Sequence, residues 1–176
     1  DFSQYDYDED GKVDMVFVLY AGYGENYGAS EDCIWPHKYE LSHSGIKLTL
    51  DDKVIDTYAC ACEIYGNTGV EPTGIGTFCH EFGHVLGLAD HYNTTNGTQM
   101  MTGVYDIMDY GCYNDSTRTP AAYNALERYS LGWMDLVEIK EPALGLHLED
   151  IKLSNYAYKL QSPNADEYFL LETRLK

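Results

Sequence analysis

Between His80 and His91 the chain reads HEFGHVLGLADH, which gathers three of its six histidines, a glutamate and an aspartate around one glycine. Histidines four residues apart on a helix lie about 40° apart on one face, so both imidazoles can reach a single ion. His80 and His84 have that spacing. Glu81, next to the first histidine, stands beside such an ion without binding it, where a carboxylate can take a proton from an activated water. A catalytic zinc keeps one position open for water and needs a third protein ligand, which the helix cannot supply from the same face at short range. A glycine can end the helix in the left-handed conformation and turn the chain back toward the ion. Gly87 follows His84 by three residues and Asp90 follows Gly87 by three, so Asp90 is the candidate third ligand. His91 is the neighbouring alternative, and Glu127 in ALERYSLGW is a distant one.

A second, harder cation fits the segment DYDEDGKVD. Asp6, Asp8, Asp10, Gly11 and Asp14 occupy positions 1, 3, 5, 6 and 9 of a calcium loop, and the carbonyl of Lys12 stands at position 7. Phe17 falls where an EF-hand carries its bidentate glutamate, so another segment must complete the site. The competing reading is a solvated acidic turn. A calcium here would fasten the start of the following strand and take no part in chemistry.

These residues must be positioned by the elements around them. MVFVLYAG is a nearly continuous apolar run bounded by glycines and predicts a central strand buried on both faces. KLTLDDKVIDTYACACEIYG predicts a hairpin turning at Asp51 and Asp52. From about Gly74 to Leu86 the period becomes helical, with Ile75, Phe78, Cys79, Phe82, Val85 and Leu86 on a core face and the two imidazoles opposite. A loop over residues 91–111 follows; its sequons at Asn93 and Asn96 carry no information without a host. TPAAYNALERYSLGW predicts a helix capped by Thr119, with Pro120 first and Gly132 as its stop. The tail predicts a hairpin turning at SPNADE.

At 176 residues and 44% hydrophobic content the chain is expected to form one globular domain. A net charge of −18 excludes nucleic acid and anionic membrane surfaces as partners, since both would repel it, and favours a hard cation. No apolar run approaches the roughly 18 residues of a transmembrane segment. The chain opens on Asp1 without a leader and is expected to be a piece of a longer precursor. Cys60 and Cys62 share a strand face and do not form a C-x-x-C redox pair; the five cysteines allow at most two disulfides.

HEFGHVLGLAD resembles the extended zinc signature of the metzincin peptidases, in the variant whose third ligand is aspartate. Together with DYDEDGKVDMVFVLYAGYGE, IWPHKYEL, YDIMDYG and YSLGWMD, it resembles the immune inhibitor A family of secreted bacterial zinc metallopeptidases. The resemblance implies an α+β metzincin-like core: a twisted mixed sheet, an active-site helix and a Met-turn beneath the metal, where Met108 falls. It implies that Tyr110, two residues on, can stabilise the tetrahedral intermediate, and it draws attention to His37, which as a residue reads as a packed, hydrogen-bonded histidine. His43 and His147 read as surface residues. The expected activity is hydrolysis of protein or peptide substrates by a secreted or periplasmic bacterial monomer, with catalytic zinc and structural calcium. The alternative of another class is a calcium-stabilised surface binding or adhesion module on the same fold, which would have no chemical need for Glu81.

Overall fold

The computed structural model describes residues 1–95 and 101–174, so the Asn96 sequon lies outside the described residues. Its centre is a three-stranded mixed sheet in which β5 (Thr57–Ile64) lies between β1 (Val16–Tyr23), parallel to it, and β2 (His37–Glu40), antiparallel. The strand buried on both faces is therefore β5 and not β1. Ala59, Cys60, Ala61 and Cys62 of β5 are all buried, while Val18 and Leu19 of β1 are 44% and 66% exposed. The physical reason lies in side-chain size: the short alanine and cysteine side chains let a helix approach β5 closely, which the larger residues of β1 do not. Between them, β3 (Leu48–Leu50) and β4 (Lys53–Ile55) form the expected hairpin, turning at Asp51 and Asp52 with φ of 49° and 61°.

The helix that lies against β5 is α1 (Gly76–Val85), which also packs on β2 and on a 3-10 turn over Tyr110–Tyr113. Its most buried face is not the expected one, although Cys79 of the expected face packs on Ile107, Met108 and Cys112. Gly76, Thr77, His80, Glu81 and Gly83 are buried, whereas Ile75 and Phe78 are exposed. Close backbone approach decides this: a Cβ on Gly76 would stand 1.8 Å from the Cys112 carbonyl oxygen, and one on Gly83 would stand 2.5 Å from the Met108 sulfur. The glycine side of the helix thus approaches the 106–113 segment most closely, with Cys79 packing beside it. The phenylalanines are left at the rim, where Phe78 packs on Phe17 at a ring separation of 4.2 Å.

Helix α2 (Ala125–Ser130) is shorter than TPAAYNALERYSLGW suggests and begins at neither Thr119 nor Pro120. Asn124 caps it instead, accepting from the Glu127 amide while Glu127 accepts from the Asn124 amide at 2.5 Å, a closed capping box. The preceding segment is held non-helical because Ala121 N–H donates to Gly111 and Arg174 takes up the Ala122 carbonyl. Gly132, at φ 72°, ends the helix as expected. A second mixed sheet follows, with β7 (Tyr156–Gln161) between β6 (Asp135–Ile139) and β8 (Tyr168–Leu171), the last two strands turning across residues 162–167. Ala125, Met134, Ile151 and Ala157 form its core against α2. All five cysteines are free thiols, and among the described residues no helix is long and apolar enough to cross a membrane.

Replacing Gly76 with Ala should therefore be severe for so small a change, because the obstacle is backbone. A loss of about 3 kcal/mol, at the upper end for overpacking, is expected by urea denaturation. Gly87→Ala, which meets open space but must hold φ 95°, should cost only about 1–2 kcal/mol.

Candidate metal centre

The backbone of α1 and the turn after it converge three ligand atoms on one point. Nε2 of His80 and Nε2 of His84 each lie 3.2 Å from Oδ1 of Asp90. With bonds of 2.0–2.1 Å to a tetrahedral zinc, neighbouring ligand atoms stand about 3.3 Å apart, so the spacing already suits that ion. The tautomers suit it as well. His80 Nδ1–H donates to the Ile107 carbonyl at 2.9 Å and His84 Nδ1–H to the Leu88 carbonyl at 2.8 Å. In neutral rings this turns both Nε2 lone pairs toward Asp90 Oδ1, which is buried and has no hydrogen-bond partner. Three lone pairs facing one another call for a cation or a proton. Burial alone would raise the Asp90 carboxyl, but the two imidazoles outweigh it and hold it well below the ordinary carboxylate range. Burial likewise opposes charge on His84, yet Asp90 and the Leu88 carbonyl draw its pKa upward.

Gly87 at φ 95° makes the reversal that brings Asp90 back. The stretch from Asp90 to Tyr92 then alternates: Asp90 and Tyr92 border the cleft, while His91 turns away. His91 Nδ1–H donates to Asp106 Oδ2 at 2.7 Å, and its amide donates to the Met108 carbonyl at 2.8 Å. Glu127, the distant alternative ligand, is also on that far side, with Oε1 3.7 Å from His91 Nδ1. Neither joins the two imidazoles of α1.

Glu81 is buried beside the trio, its pKa raised by burial and partly pulled back by His80 and His84. A cleft of about 770 Å³ opens over it, bordered by Asn26, Tyr27, Trp35, Tyr65, Tyr92, Tyr110 and Tyr113 among others. Tyr110 thus reaches the cleft and Met108 lies fully buried under the helix, against Gly83. His37 also borders the cleft but is engaged on both nitrogens, donating to the Trp35 carbonyl and accepting from the Tyr58 hydroxyl. Sequence reasoning does not single out Tyr92. Its ring stands 6.5 Å from that of His80 at 21°, and burial together with Asp90 and Glu81 pushes its phenol pKa far upward. Its place two residues after Asp90 is the signal that could have found it. His43 is exposed beside Glu40, and His147 is exposed.

At the other end, ligand oxygens of Asp6, Asp8 and Asp10 lie within 4.8 Å of one another. Asp14 and Lys12 serve the loop as hydrogen-bond partners: Asp14 Oδ2 accepts from the Tyr7 amide and the Lys12 amide donates to Asp10 Oδ1. Asp6 Oδ2 pairs with Lys53 at 2.6 Å, whereas Asp6 Oδ1 is buried with no partner.

A mixed α+β fold here carries two helix-borne imidazoles, an adjacent glutamate and a returning aspartate, a donor group that could hold a metal ion. Residues 3–134 match the catalytic domain of the immune inhibitor A peptidases, and the chain belongs to that family. It is 28% identical over 105 residues to immune inhibitor A of Bacillus thuringiensis subsp. alesti, covering 53% of this chain and 15% of that protein. It is 28% identical over 110 residues to the pre-pro-metalloprotease PrtV of Vibrio cholerae, covering 59% of this chain and 12% of that protein. A third relative, from Arthroderma benhamiae, bears a name describing a secreted metallopeptidase and is 34% identical over 67 residues, 33% of this chain and 10% of that protein. The chain therefore matches less than a sixth of the length of these relatives.

Behind the site, Glu127 carries a prediction. Burial and the Asp106 carboxylate push its pKa up to about 8, so the folded chain keeps a proton that an unfolded glutamate releases near pH 4.3. Stability is then full below about pH 4 and falls as pH rises toward about 8. Glu127→Gln keeps the capping box but has no proton to lose. Urea denaturation with chelator present, at pH 5, 6.5 and 8, should show a decline in the parent larger by on the order of 2–4 kcal/mol than in the variant.

Proposed function

We propose that the chain is the catalytic core of an exported zinc endopeptidase of metzincin type. The observation that carries this reading is the convergence of His80 Nε2, His84 Nε2 and Asp90 Oδ1, at 3.2 Å from the carboxylate oxygen, with Glu81 buried alongside. His80, His84 and Asp90 would hold the zinc, which when bound acidifies a water and polarises the substrate carbonyl. Glu81 accepts the proton of the attacking water and returns it to the leaving amine. Its burial keeps that carboxyl poised closer to neutrality than an exposed glutamate, which suits a group that must both take and give a proton. Tyr110 donates its phenol hydrogen toward the developing oxyanion from the cleft wall, and Met108 packs beneath the histidines as the Met-turn. The aromatic cleft suits extended, apolar-bearing protein or peptide substrates taken up by a monomer.

Calcium supports the fold at the other end. Asp6, Asp8 and Asp10 offer a hard oxygen set, and Asp6, whose Oδ2 is paired with Lys53, keeps a second buried oxygen, Oδ1, that accepts nothing. Export agrees with both, since calcium is abundant outside cells, and with the printed name of the fungal relative.

Glu81→Gln should leave one zinc per chain by elemental analysis while lowering kcat/KM on an unstructured protein substrate by a factor of at least about 100–10,000. Retained hydrolysis would remove Glu81 from the role of base. Adding calcium to chelator-treated protein should raise Tm, and Asp8→Ala with Asp10→Ala should abolish that rise without displacing zinc; an equal rise in the variant would leave the loop a solvated turn.

A further inference from the structure

Resting on the zinc-peptidase reading, we propose that Tyr27, Tyr65 and Tyr113 wall a pocket that takes a large apolar side chain of the substrate, aromatic in preference, from a residue flanking the scissile bond, and that Tyr27 sets this preference. All three border the cleft together with Thr77, His80 and Glu81. The rings of Tyr27 and Tyr65 stand 4.9 Å apart at 54°, and Tyr113 meets Tyr27 at 6.0 Å and 79°. Tilted and edge-on contacts are the arrangement in which aromatic groups attract one another beyond the area they bury, and a ring entering beside these three can meet them in the same way.

The place of the pocket follows from the helix. The Tyr27 hydroxyl lies 2.5 Å from Thr77 Oγ1 and 3.0 Å from Thr73 Oγ1. Thr77 is in the first turn of α1, and His80 and Glu81 follow it by three and four residues, on the same face and about 5–6 Å on. Tyr27 is thus pinned one helical turn from a metal ligand and from the base, within reach of a side chain next to the bond being cut. In the other direction Tyr113 stands 6.1 Å from Tyr110, and Tyr110 stands 6.4 Å from Tyr92, so a continuous row of rings joins the pocket to the metal centre.

The same hydrogen bonds decide the chemistry of the pocket. Thr73 Oγ1 is 3.5 Å from Thr117 Oγ1, which accepts from the Gly74 amide at 2.8 Å. The Tyr27 hydroxyl is therefore committed to a polar chain at the start of α1, and the ring is the part left to the cleft. The charged side chains that border the cleft are engaged elsewhere: Lys38 pairs with Glu40 at 2.5 Å, Asp109 holds the 101–103 amides, and Glu81 and Asp90 belong to the metal centre. None is left to neutralise a charged substrate side chain, whose burial without a partner is costly.

Hydrolysis by the zinc-loaded chain of a peptide library varied at the two residues flanking the scissile bond tests this. At one of those positions Phe should exceed Ala by roughly 10–100-fold in kcat/KM, the value of burying such a ring. Tyr27→Ala should lower that ratio about 3–10-fold, whereas Tyr27→Phe, which keeps the ring and loses only the hydroxyl, should retain it. A general loss of structure slows both peptides alike and leaves the ratio unchanged; should Tyr27→Ala fail to fold, Tyr65→Ala on the other side of the ring pair gives the same reading. Equal hydrolysis of the Phe and Ala peptides at both positions, or an unchanged ratio in the alanine variant, would overturn the proposal while leaving the peptidase standing. So would a preference for a polar side chain, which would pass the pocket to Asn26, whose amide nitrogen and oxygen are buried without a partner at the same cleft. A parent chain that cleaves no member of the library, whether or not it binds zinc, would remove the peptidase reading and the proposal with it.

Discussion

Two imidazole nitrogens are each brought to 3.2 Å of one carboxylate oxygen in a partly buried place, and the rest of the molecule is arranged to keep them there. Left without positive charge this contact is repulsive. Each ring is committed through Nδ1 to a main-chain carbonyl, so neither can turn its lone pair away without breaking a hydrogen bond in a buried setting. The carbonyls come from different places, Ile107 in the segment beneath the helix and Leu88 in the turn that ends it. The site therefore exists only when the helix, its terminal turn and the 106–109 segment are assembled together.

That assembly depends on how little stands between the elements. Gly76 lets α1 meet the Cys112 backbone, Gly83 makes room for the Met108 thioether, and the small residues of β5 let the helix settle on the sheet from the other side. Asp106 then locks the arrangement from behind. Its carboxylate accepts from His91, Asn124, Thr102 and the Met108 amide, which ties the Asp90 turn, the start of α2 and the Met108 segment to one buried side chain. Asp109 does the same for residues 101–103, whose amides all donate to its Oδ2.

The local parts of this were legible in the sequence, and the non-local parts were not. Histidines at i and i+4, a glycine that must end a helix, and a two-residue turn at Asp51 and Asp52 are properties of a few neighbouring residues, and the structure has the helix, the positive φ at Gly87 and the hairpin where spacing puts them. The most buried face of the helix departs from the apolar one because hydrophobicity is a poor guide where glycine allows closer contact than any side chain. The strand at MVFVLY was read as central because apolar composition does not reveal which strand has neighbours on both sides. The start of α2 went to Thr119 and Pro120 because both are good helix-start residues. Only the hydrogen bonds from Ala121 and to Ala122, which come from distant segments, show why that stretch stays extended. Tyr92 falls in the same category, since one tyrosine among 17 acquires meaning only when its neighbours are in place.

A chain of net charge −18 that buries Asp6, Glu81, Asp106, Asp109 and Glu127 has to neutralise each acid by some means, and the means differ in a way that sorts structure from chemistry. Asp106 and Asp109 are surrounded by donors and stay ionised at no further cost, so they are fasteners. Glu127 keeps a proton and acts as a cap. What remains are carboxylate oxygens that are buried and accept nothing, and two of them, Asp6 Oδ1 and Asp90 Oδ1, lie in groups whose ligand atoms could close around an ion. Glu127 Oε1 is a third, and there the proton relieves the need. At Asp6 the oxygens are all carboxylate, which suits a hard cation; at Asp90 two imidazoles change the preference to zinc and bring Glu81 into range. An ion bound at Asp6, beside the Lys53 ammonium, would serve the structure and one bound at Asp90 would serve chemistry, and the donor set alone separates the two.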